Sequence, residues 1–79
     1  MALLQIEHFS KVTKDRSHIH EPADATFSII QEGDRKLFQI DTYGSADRKV
    51  KGKASQSIQM DKEMAQKIVE ILKTEFFID

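Results

Sequence analysis

The sequence predicts an α+β fold, a four-stranded antiparallel meander (β-β-β-β-α) with one C-terminal helix packed on one sheet face. Three observations lead there. Four segments alternate apolar and polar residues with a period near two. One segment, near the C-terminus, repeats apolar residues at spacings of three and four. A Gly-containing reversal separates two of the alternating runs, as in a hairpin. The chain has 79 residues, enough for a single domain over residues 1–79 with a lean core.

The first strand is expected over about residues 3–11, where Leu4 and Ile6 share one face and Gln5, Glu7 and Phe9 the other. Residues 13–24 read as a loop, with the chain's only proline at Pro22. The second strand is expected over about 25–31, with Phe27 and Ile29 on one face. Glu32-Gly33-Asp34-Arg35 then forms a tight reversal in which Gly33 takes a positive φ. The third strand follows over about 36–43. It has Phe38, Ile40 and Thr42 on one side and Gln39, Asp41 and Tyr43 on the other. The fourth is expected over about 54–60, where Ser55, Ser57 and Gln59 make one face wholly polar. Asp61 is a good N-cap residue for a helix over about 62–76. Met64, Ile68, Ile71, Leu72 and Phe76 form its apolar stripe, with Ile68 and Leu72 expected at the helix–sheet contact.

Composition narrows the function classes. There are no cysteines, which excludes disulfides, thiolate metal sites and thiol nucleophiles. The start of the chain lacks the basic and long apolar regions of a secretory signal, and no stretch reaches the length of a membrane span. The expected location is the cytoplasm. Net charge is −1, from 12 basic and 13 acidic side chains, so the whole-chain balance does not favour nucleic acid. The distribution is less even, because Arg48, Lys49, Lys51 and Lys53 fall within six residues without an acid.

The polar sheet face is the candidate site. It is expected to hold Gln5, Glu7, Phe9, Gln39, Asp41, Tyr43, Ser55, Ser57 and Gln59 together. Polar donors beside flat rings suit a ligand that stacks and hydrogen-bonds, as single-stranded nucleic acid does. The plain alternative is a solvated face. Four like charges in the loop feeding that face repel one another, and a phosphate backbone relieves the repulsion; a solvated charged loop is the alternative there. His18, His20 and His8 have no identifiable fourth partner and read as exposed loop histidines, so no metal site is expected. Catalytic machinery is also missing. Ser55 and Ser57 lack a nucleophile elbow, and the three glycines form no phosphate-cradling motif. No cofactor is expected.

The layout resembles a known family at this point. Its marks are the Lys-Gly-Lys of residues 51–53, the strand Ala54-Ser-Gln-Ser-Ile-Gln-Met60, and a helix opening at Asp61-Lys62-Glu63. Together with the element order they resemble the positive cofactor four type of single-stranded DNA-binding domain. The resemblance runs over residues 3–76 and is carried mainly by Phe38 to Phe76. It implies a curved sheet that binds single strands with its basic loops, and a helix that mediates dimerisation. This chain is less basic than that family. The segments Phe38–Gly44 and Lys53–Ser57 also resemble short bacterial proteins labelled formyltransferase-like, although 79 residues are too few for such an enzyme.

The expected function is a non-enzymatic binding module for single-stranded nucleic acid. Arg48, Lys49, Lys51 and Lys53 would neutralise phosphates, Tyr43 and Phe9 would stack bases, and Ser55, Ser57 and Gln59 would hydrogen-bond. The alternative is a protein-interaction module that binds or inhibits a partner through the same face or the aromatic C-terminus. A homodimer is expected, because Ala65, Val69, Phe77 and Ile78 lie beside or beyond the helix stripe and need cover; the alternative is that Phe77 and Ile78 fold back over the sheet edge within one chain.

Overall fold

The computed structural model describes residues 1–45 and 54–79. Its elements are β1 (Ala2–Leu4), a 3₁₀ turn (Ile6–His8), β2 (Ala23–Glu32), β3 (Arg35–Ser45), β4 (Gln56–Met60) and α1 (Lys62–Phe76). The α+β class and the four-stranded sheet with one C-terminal helix are as the sequence predicts. The purely antiparallel meander is not: the strand order is β1-β4-β3-β2, and β1 lies parallel to β4. A meander would have placed β1 beside β2. The long stretch between Leu4 and Ala23 instead lets β1 dock at the far edge, where Leu3 pairs with Gln59 and Leu4 with Met60.

The first element is also shorter than the expected 3–11. Strand geometry stops at Leu4, and the chain turns through Ile6–His8. Ile6 and Phe9 are three apart, which places them on one side of a 3₁₀ turn but on opposite faces of a strand. The apolar residues thus fit the tighter turn, and this part of the chain meets α1.

The hairpin β2–β3 forms in the expected register, with Phe27 opposite Ile40, Ile29 opposite Phe38 and Glu32 opposite Arg35. Gly33 has φ 60 and is the first of two turn residues, the position where a type II′ turn needs a positive φ. Near the other end of the hairpin, between the pairs Ala25–Thr42 and Ala23–Ser45, two residues of β3 (Tyr43 and Gly44) stand against one of β2 (Asp24). Gly44, with φ 79, accommodates that bulge. β4 begins at Gln56 rather than near 54, and pairs antiparallel with β3.

The helix spans the expected residues. Asp61 caps it, its carboxylate accepting from the Met64 backbone N–H at 2.9 Å. At the C-terminus Phe77 takes the left-handed conformation (φ 53), and the Ile78 N–H reaches the Lys73 carbonyl at 3.0 Å, a Schellman closure. The helix meets β3 and the 3₁₀ turn. Only its first part is well seated: Met64 is fully buried, whereas Leu72 is 43 % exposed and Ile71 and Phe76 are exposed too. Leu72 is therefore not the helix–sheet anchor that the stripe implies. Because α1 begins one residue after β4, its first turn is fixed against the sheet, while the later turns run on past it.

Two outcomes follow for stability. Met64→Ala should cost about 2–5 kcal/mol, and Leu72→Ala markedly less, as read from urea-denaturation midpoints. Phe77→Gly should stabilise by about 1 kcal/mol, because a side chain in the left-handed region is strained. The 93 % exposed ring gives up no packing within the chain.

Candidate functional site

Alternation along β3 and β4 puts Gln39, Asp41, Ser57 and Gln59 on the sheet face opposite Met60 and Ile58. The register sets Gln39 against Gln59 and Asp41 against Ser57. These four side chains form one hydrogen-bonded chain. The Gln59 amide donates to Gln39 Oε1 at 2.7 Å. Gln39 then donates from Nε2 to both carboxylate oxygens of Asp41, at 3.0 and 3.1 Å. The Ser57 hydroxyl donates to Asp41 Oδ1 from the other side. A carboxylate only accepts, and this fixes the direction of every bond in the row. Ser57 is buried, and the other three are half-buried.

Leu3 of β1 borders this row at Gln59, and Met1, Ala2, Leu3, Gln39, Ser57 and Gln59 line a shallow depression of about 420 Å³. Its lining combines the amides of Gln39 and Gln59 and the Ser57 hydroxyl with the apolar side chains of Met1, Ala2 and Leu3. The sequence reading missed this apolar part of the lining, because it assigned β1 to the opposite edge of the sheet.

Other expected site residues fall in different places. Tyr43 lies on β3 beyond Asp41, half-buried, with its hydroxyl 3.0 Å from Thr26 Oγ1. Ser55 precedes β4 and turns to Thr42, donating from its hydroxyl to the Thr42 carbonyl at 3.1 Å and lying 3.3 Å from the Thr42 hydroxyl. It does not continue the Ser57–Gln59 row. Phe9 is not on the polar face. It follows the 3₁₀ turn and, with Val12, lines a cleft against Lys67, Ile71 and Thr74 of α1. The shift is the direct consequence of the short first strand. Gln5 and Glu7, expected on the same face, lie at the N-cap and inside the 3₁₀ turn. Arg48, Lys49, Lys51 and Lys53 lie outside the described residues. Among the described residues, the Ser55 N–H donates to the Thr42 carbonyl at 2.7 Å, one residue before β4 begins. His8, His18 and His20 are exposed.

The opposite sheet face is apolar but poorly covered. Phe27 and Phe38 stack with ring centroids 5.7 Å apart, yet Phe27 is 70 % and Ile29 55 % exposed. Compared with known proteins, the chain matches no family model, no curated protein and no solved structure. No helix among the described residues is long and apolar enough to cross a membrane.

Asp41 is the hub of the polar row. Asp41→Ala leaves the buried Ser57 hydroxyl and the Gln39 amide without their acceptor, and should cost about 1–3 kcal/mol. Gln59→Ala removes only the outer donor and should cost less. Thermal or urea unfolding of the two variants side by side checks the order.

Proposed function

We propose that this domain is a non-enzymatic binding module for single-stranded nucleic acid, which lies across the β3–β4 face. One observation carries the reading. The face offers a continuous row of amide, carboxylate and hydroxyl groups with Tyr43 at one end. The same strand ends are joined by the segment that contains Arg48, Lys49, Lys51 and Lys53.

The roles divide along the row. Asp41 sits in its middle and repels phosphate, so the sugar–phosphate backbone runs over the basic end. The bases reach toward Gln39, Asp41 and Gln59, where a carboxylate and two amides can accept from and donate to base edges. Among the described residues Tyr43 is the one aromatic ring on this face, and it supplies the stacking surface. Phe9 takes no part, and Ser55 acts at the basic end rather than among the bases.

A second reading has its own support. The exposed Phe27, Ile29, Val69, Phe76 and Phe77 fit a protein-interaction module better than a solvated surface.

Fluorescence anisotropy with labelled single strands separates the two. The wild type should bind at low salt, and replacing Arg48, Lys49, Lys51 and Lys53 by Ala should weaken binding. The log–log salt slope should fall by about 0.7 for each phosphate that the variant no longer neutralises. Asp41→Asn should alter the preference among homopolymeric strands and leave the slope unchanged. A wild type that binds no single strand at low salt overturns the nucleic-acid reading in favour of the protein partner.

A further inference from the structure

β2 is an edge of the sheet, and nothing among the described residues pairs with its outer side. It is ten residues long. Natural edge strands of this length are guarded by central charges or prolines, because a row of free backbone N–H and C=O groups recruits another strand. β2 has neither between Ala25 and Gln31; its charges, Asp24 and Glu32, stand at the ends. The unguarded stretch also carries Phe27 and Ile29, the two most exposed large apolar side chains of the sheet.

The area balance points the same way. The chain exposes 7418 Å², whereas a monomeric protein of 9.1 kDa exposes about 4,900 Å². Part of the excess belongs to the exposed stretch from Ser10 to Pro22. The excess is larger than the roughly 800 Å² per partner that a standard interface buries.

We propose that a second copy of this chain occupies that edge, with β2 pairing antiparallel to its twofold mate so that the two sheets join into one of eight strands. This goes beyond the nucleic-acid reading and does not depend on it. A twofold axis through Phe27 gives the favoured register. It sets Phe27 against Phe27 of the second copy and extends the Phe27–Phe38 stack into a row of four rings. It places the small Ala25 opposite the larger Ile29, and Thr26 opposite Ser28. Shifting the axis to Ser28 would set Asp24 directly against Glu32, like charge against like. The register through Phe27 avoids this, because Glu32 then falls opposite Pro22. An isologous pair of this kind closes on itself and leaves no further free edge at β2.

The polar row of each copy remains outside this junction, on the other side of each sheet. The joined sheet therefore presents two such rows side by side.

Light scattering after size exclusion, with cross-linking, tests the pairing. The wild type should run at the mass of two chains. Phe27→Lys should bring it to one chain with the circular-dichroism spectrum retained. Ser28→Lys charges the same strand without disturbing the ring stack, so it decides the matter should Phe27→Lys unfold. Leu3→Lys, at the opposite edge of the sheet, should stay at two chains. The chain has no cysteines of its own, so Thr26→Cys/Ser28→Cys should give a disulfide-linked dimer on mild oxidation. A wild type of single-chain mass at high micromolar concentration overturns the proposal. So does a dimer that survives both lysine substitutions in β2, and so does one that fails to cross-link.

Discussion

Burial is the scarce quantity in this domain, and the rest of the structure is arranged around it. Among the described residues Met60 and Met64 are the only buried apolar side chains, and they sit where β4 passes into α1. Met60 is opposite Phe38 on β3 and Leu4 on β1, so this one knot ties three strands to the helix. Methionine suits the position, since its unbranched side chain fills an irregular space between elements that meet at an angle. Everything farther from the knot, β2 on one side and the later turns of α1 on the other, is held mainly by backbone hydrogen bonds and partial contacts. A small domain has little stability in reserve, and apolar surface left in water contributes none.

The polar face meets the same constraint in a different way. With few groups buried, its four side chains satisfy one another: Gln59 donates to Gln39, and Gln39 and Ser57 donate to Asp41. Among the described residues no buried side-chain polar atom is left without a partner. Such a row stiffens the centre of the sheet and presents a fixed pattern of hydrogen-bonding groups. A ligand on this face meets an ordered surface, so little conformational entropy is lost on binding.

Much of the fold was legible in the sequence because its signals are local. Asp61 with the apolar spacing after it marked the helix, and the Gly33 turn between alternating runs marked the hairpin and its register. Alternation alone placed Gln39 and Asp41 on one face with Ser57 and Gln59. The first strand was not legible. Parallel pairing of Ala2–Leu4 with β4 joins opposite ends of the chain and leaves no turn signal between them. Ile6 and Phe9 fit a strand poorly and a 3₁₀ turn well, and Phe9 left the expected site with that change. Ser55 also departed, because a hydroxyl just outside a strand can satisfy a neighbouring backbone carbonyl instead of following the pleat.

A fold that buries so little within one chain and leaves β2 open should gain stability from its own second copy. Unfolding in urea at protein concentrations from nanomolar to high micromolar tests this most directly. Two chains that associate only when folded give a midpoint that rises steadily with concentration, by mass action. A midpoint that does not move over that range would contradict the account, because the single chain would then hold all the stability that the domain has.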